Sequence, residues 1–224
     1  MSARDNILGR LRRAPAGSSA PLPDLAPWRA SRPQMADAAA GIARFRANME
    51  AAHAEVHDVT SDDWPDRLAT LAAAKGVHTL LFGADTRHGV QLAARRPTGM
   101  QLVPYDRSAD LWRDQLFDGI DASITAATSA IADTGGLVLW PDAHETRLMS
   151  LVPPIHFVLL DAARIHADLH AAMSAERWAT RMPTNVVVIS GPSKTADIQQ
   201  TLAYGAHGPR ELIVLLCHAS GVQR

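Results

Sequence analysis

Four short, unbroken apolar runs constrain this chain more than any other feature. They are HTLLFG at 78–83, IHFVLLD at 155–161, NVVVIS at 185–190 and ELIVLL at 211–216. None alternates apolar with polar, as a half-solvated strand does, and each is too short for a buried helix. They read as strands covered on both faces. Amphipathic stretches stand among them. In QMADAAAGIARFRANMEAA (34–52), Met35, Ile42, Phe45 and Met49 recur at helical spacing; SDDWPDRLATLAAAKG (61–76) has acids in its first turn and Gly76 where a C-cap belongs. AEVHDV (54–59) and MQLVPY (100–105) add strands; DTRHGVQLAARR (85–96), SADLWRDQLFDG (108–119) and ARIHADLHAAMSAER (163–177) add helices. ASITAATSAIADTGGLVLW (122–140) reads as two extended segments joined by a turn at Asp133–Gly136. This alternation predicts an α/β domain, a layered sandwich around a mostly parallel sheet.

The first 32 residues differ in kind. Ser2 can cap a short helix with an Ile7, Leu8, Leu11 stripe, followed by the Pro- and Ser-rich APAGSSAPLPDLAP (14–27). Residues 1–32 are therefore expected to form an extension and 33–224 the compact domain. A net charge of −1 and a pI near 6.8 leave no electrostatic footprint for nucleic acid. No apolar run reaches membrane-span length and no signal-peptide region opens the chain, so the expectation is a cytoplasmic protein. Cys217 is the only cysteine, in an apolar run, and reads as a small buried hydrophobe. One cysteine cannot ligate an iron–sulfur cluster, and His166 and His170 lack the H-E-x-x-H pattern of a zinc site. No metal and no cofactor is expected.

The most punctuated stretch is SGPSKTADIQQTLAYGAHGPREL, 190–212. GPSK follows a strand and TADIQQTLAYG reads as a helix, so a turn at the carboxyl end of the sheet would lead into a helix N-terminus. Ser190, Gly191, Ser193, Lys194 and Thr195 would there accept a small anion. A plain strand-to-helix turn explains the same residues. His207 and Arg210, held by Gly208 and Pro209, would contact a carboxylate or a partner, or merely brace the fold. With a helix between them, the two turns would stand ~15 Å apart, given about 1.5 Å of rise per residue. In PDAHETRLMSLVPP (141–154), Arg147 is the better candidate for substrate or partner contact. His156, inside an apolar strand, is either a satisfied core histidine or a functional one.

Three segments taken in order resemble the LUD domain, the family of lactate utilization protein C. They are IADTG (131–135), Arg147-x-x-Ser150-x-x-Pro153-x-x-His156, and the 190–212 stretch, and the resemblance spans roughly Gln34 to Leu216. It implies a fold like that of the NagB, ribose-phosphate isomerase and CoA-transferase group, a three-layer α/β sandwich. It also implies a non-redox component of bacterial L-lactate oxidation to pyruvate, acting beside iron–sulfur partner proteins. In the wider fold group the turn matching Asp133, Thr134 and Gly135 lies near substrate. A CoA transferase would need a Glu nucleophile where this chain has Asp133, which could equally be a turn residue. The alternative is a stand-alone isomerase, ligase or acyl/CoA transferase on the same fold.

Overall fold

The computed structural model describes residues 2–14, 23–31, 35–95, 97–196 and 202–219. The chain divides into two compact units, Met1–Gln34 and Met35–Arg224. In the first, helix α1 (Ala3–Arg13) starts at a reciprocal cap: the Ser2 hydroxyl accepts the Asp5 N–H, and the Asp5 carboxylate accepts the Ser2 N–H. No α1 residue is buried. A short helix, α2 (Ala26–Ala30), begins inside the stretch expected to be an irregular linker.

The second unit is built on six strands: β1 (Glu55–Thr60), β2 (Thr79–Phe82), β3 (Gln101–Pro104), β4 (Ala122–Ala126), β7 (Ile155–Asp161) and β12 (Glu211–His218). They pair in the order β1-β12-β7-β4-β2-β3, and every pairing is parallel. Alternation along β12 shows why the apolar runs are unbroken. Ile213 and Leu215 pack on one face with Trp64 and Leu68 of α4 (Trp64–Ala74) and Leu92 of α5 (Arg87–Arg95). Val214 and Leu216 pack on the other with Phe45 and Met49 of α3 (Ala38–Ala51). Each such side chain, fully buried, contributes about 1.5–3 kcal/mol. Helix α6 (Ala109–Asp118) adds Leu116 to a satellite cluster with Leu81, Val103 and Met149.

The α3 face also carries a second sheet, β8-β5-β6-β9, made of β5 (Ser129–Ile131), β6 (Gly136–Leu139), β8 (Ile165–His166) and β9 (Val187–Ile189). Helices, parallel sheet, and α3 with the small sheet make three layers. The 122–140 stretch is thus three strands in two sheets, not two segments: the chain leaves β4 after Ala126 and crosses into the small sheet at Ser129. The helix expected over 163–177 is likewise shorter. A 3-10 turn (Ala162–Arg164) and β8 precede α7 (Leu169–Ala175), which starts at the Asp168 cap. His166 therefore lies on a strand and shares no helix face with His170. A last helix, α8 (Trp178–Arg181), packs Trp178 edge-on against Trp140.

The largest correction falls on 190–212. Lys194–Ala196 is a strand, β10, paired antiparallel with Leu202–Tyr204, β11. The helix expected between the two turns is absent at both of its ends; 197–201 lie outside the described residues.

Candidate functional site: a pocket where two motif segments meet

The hairpin draws together what a helix would have held apart. Ser193 N–H donates to Pro209 O (2.8 Å), Gly205 N–H to Ser193 O (3.0 Å), and His207 N–H to Ser193 Oγ (3.3 Å). Arg210 and Glu211 N–H both donate to Pro154 O, tying the same turn to the start of β7. Behind it, Gly191 (φ +145) passes so close to the end of α3 that a Cβ would meet Ala52 at 3.0 Å. Tyr204 meets His53 edge-on at 6.0 Å.

These segments enclose a cavity of about 200 Å³, lined by Ser150, His156, Ser190–Ser193, His207–Pro209, Leu212 and the strand 187–189. His156 is its buried polar centre. It alternates with Ile155 and Phe157 along β7, so it faces away from α4 and sits beside Ser123 of β4 and Leu212 of β12. The ring is fully buried and Nε2 contacts Thr125 Oγ1 at 2.9 Å. Nδ1 has no hydrogen-bond partner among the described residues. Burial pushes the imidazole from its ordinary 6.5 down to about 3, so the ring is neutral near pH 7. Ser150, also buried, spends its hydroxyl proton on Arg147 O and keeps lone pairs for the cavity. It also lines a narrow neighbouring chamber with Thr125, Glu145 and Thr146. No acidic side chain lines the main cavity among the described residues.

The residues singled out in the sequence separate into three groups. Ser190, Gly191, Ser193, His156 and His207 come together around the cavity. Lys194 and Thr195 leave it along β10, opposite Tyr204 and Ala203. Arg147 and Arg210 are exposed, Arg210 being 3.8 Å from the Glu211 carboxylate. Asp133, Thr134 and Gly135 are elsewhere, docked on α3. Asn48 Nδ2 donates to the carbonyls of Ala132 and Asp133 (2.8 and 3.1 Å), and Arg44 pairs with Asp133 at 3.0 Å. Gly135 (φ +65) lies where a Cβ would meet Asn48 Cβ at 2.9 Å, so this turn braces two elements.

Two expectations about the anion site are overturned. Its helix N-terminus does not exist, and the Ser193 N–H it would have offered is bonded to Pro209. The cavity also lies at the amino ends of β7 and β12, not at the carboxyl edge of the parallel sheet, because the strand leading into Gly191 belongs to the small sheet. Sequence reasoning missed Thr125 and His88. His88 Nε2 lies 2.6 Å from Glu145 Oε1, and Glu145 Oε2 accepts Ala126 N–H at 3.1 Å. An isolated Thr in a strand and a His in a helix give no sequence signal of such pairing. Among the described residues, no group of three or more His, Cys, Asp or Glu could hold a metal, and no helix is long and apolar enough to cross a membrane.

The chain is 39% identical over 220 residues to an uncharacterized protein of Neisseria meningitidis serogroup B, NMB1437, covering 96% of this chain and 93% of that one. It is 30% identical over 164 residues to lactate utilization protein C of Exiguobacterium sp., covering 67% of this chain and 71% of that one. Its fold matches the crystal structure of a DUF162 family protein from Deinococcus radiodurans with a TM-score of 0.61, at 20% identity, covering 81% of this chain and 98% of that one. The LUD domain model matches residues 42–217, which take in all three layers and every residue of the motif pocket, and the chain belongs to the LUD domain family.

Proposed function

We propose that this protein is a non-redox component of a bacterial, cytoplasmic L-lactate utilization system that oxidises L-lactate to pyruvate. In this reading it acts beside iron–sulfur partner proteins and binds a small carboxylate in the motif pocket. Relatives named lactate utilization protein C support the metabolic context. The single cysteine supports the division of labour, because electron-carrying clusters would have to sit in other chains. The observation that carries the ligand is the convergence of two motif segments, 147–156 and 190–212, on one cavity around a neutral imidazole whose Nδ1 is unmatched among the described residues. Leaving that nitrogen unpaired costs about 1–3 kcal/mol, and a bound ligand would recover it. The lining suits a small carboxylate: hydroxyls of Ser150, Ser190 and Ser193, the exposed His207, and no acid among the described residues.

Deleting the gene from its host, then restoring wild type or His156→Phe, tests this. Wild type should restore growth on L-lactate and leave growth on pyruvate unchanged. His156→Phe, at matched soluble protein, should not restore it. Undiminished growth of the deletion strain on L-lactate would overturn the reading.

A further inference from the structure

The carboxyl ends of β1, β12, β7 and β4 open into another cleft, of about 540 Å³, which shares no lining residue with the motif pocket. Ligands of parallel α/β sheets gather at this edge. Two histidines line the cleft, and each is held by a carboxylate at the same nitrogen. His88 Nε2 lies 2.6 Å from Glu145 Oε1, and His218 Nε2 lies 2.8 Å from Asp58 Oδ1. Both carboxylates are themselves anchored, Glu145 by the Ala126 N–H and Asp58 by Arg46 Nη2 at 2.6 Å. An ionised carboxylate only accepts, so in each neutral ring the proton sits on Nε2 and the lone pair on Nδ1. Neither Nδ1 hydrogen-bonds within the described residues.

Both rings line the cleft with an uncommitted Nδ1 lone pair, and the Asp62 and Asp161 carboxylates add further acceptors. Arg87 is the one Arg or Lys lining the cleft among the described residues, and its exposed guanidinium makes no ion pair there. Several acceptors and one cation fit a ligand with several hydroxyl donors and one carboxylate. Two bonds tie α5 to the turn after β1: Gln91 donates to Ser61 O, and Arg95 donates to Asp62 O.

We infer that this cleft binds a small polyhydroxylated monocarboxylate, with His88 and His218 accepting its hydroxyls and Arg87 holding its carboxylate. The inference does not depend on the lactate reading, since it uses a different cavity and a different donor–acceptor pattern. Burying two imidazole lone pairs beneath a ligand that lacks hydroxyls leaves them unpartnered, and that sets the selectivity.

Calorimetric titration of the full chain with D-gluconate, D-glycerate and n-butyrate, at equal ionic strength, tests the site. Gluconate should bind at least about tenfold more tightly than butyrate, with glycerate between them, and Arg87→Gln should weaken gluconate by a similar factor. Arg87 is exposed, so this variant should fold. Glu145→Gln, whose amide can turn the His88 tautomer around, should lower gluconate affinity and move the His88 ring nitrogen resonances. Equal affinity for gluconate and butyrate, or no binding of either, would overturn the inference. So would gluconate binding that survives Arg87→Gln but is lost in Ser193→Tyr, since that result puts the ligand in the motif pocket and leaves the lactate reading standing.

Discussion

Replacing His156 by Gln removes one titrating group from the centre of the sheet, and the consequence is readable in stability against pH. The unfolded chain binds the imidazole proton near 6.5, whereas burial holds the folded ring neutral down to about 3. Between those values the unfolded state carries the extra proton, so wild-type stability falls as pH falls through that window. Above 6.5 both states are neutral and the ring contributes no slope. Each pH unit inside the window is worth about 1.36 kcal/mol, so acidification from pH 7 to pH 5 should cost the wild type about 2 kcal/mol through this residue alone. Urea unfolding at both pH values, for wild type and His156→Gln, isolates the term. Any packing change in the variant is present at both pH values and cancels in the difference. The variant should lose about 2 kcal/mol less than wild type on acidification. Parallel losses would refute the account of His156 as a neutral, fully buried imidazole.

Other expectations follow from single contacts. Thr125→Val leaves His156 Nε2 without its 2.9 Å partner and should destabilise the protein by about 1–3 kcal/mol in the same denaturation assay. Gly135→Ala puts a Cβ at 2.9 Å from Asn48 Cβ in a left-handed turn and should cost about 1–3 kcal/mol, read as a lower Tm. Lys75 bonds Glu55 and Glu211 at 2.6 Å each; burial pulls its pKa down, but the two carboxylates raise it overall. That stabilisation is present below the ordinary value of 10.5 and lost as pH rises above it. Lys75→Met should cost about 0.5–1 kcal/mol at neutral pH, since the partners are half exposed. A chain starting at Met35 retains every β-strand and should unfold with the cooperativity of the full chain; loss of its folded circular dichroism signal would show that the first unit is needed.

The parallel sheet was legible because three of its four inner strands, β2, β7 and β12, are unbroken apolar runs; β4, with Ser123 and Thr125, is not. β12 must satisfy two cores at once, with Ile213 and Leu215 on one side and Val214 and Leu216 on the other. The small sheet was legible only in part: NVVVIS read as a strand, but one covered on both faces, whereas β9 leaves Val188 50% exposed, and the strand order comes from partners far away in sequence, as Leu137 takes it from Ile189. The same limit hid the 194–204 hairpin. Residues of helix-forming type fill TADIQQTLAYG, yet Ser193 bonds Gly205 and Pro209, and these long-range bonds override local preference. Of the residues singled out, Ser190, Gly191, Ser193, His156 and His207 line one cavity. Their meeting place was misjudged because a sequence does not say to which sheet the strand before Gly191 belongs.

The central claim is that a small carboxylate binds in the motif pocket against His156. Nitrogen-15 NMR of the histidine-labelled full chain during titration with L-lactate tests it most directly. The His156 Nδ1 resonance should shift progressively and saturate, while Ser193→Tyr, which fills the cavity beside it, should abolish the shift. A His156 Nδ1 resonance that stays fixed through the titration would contradict the account.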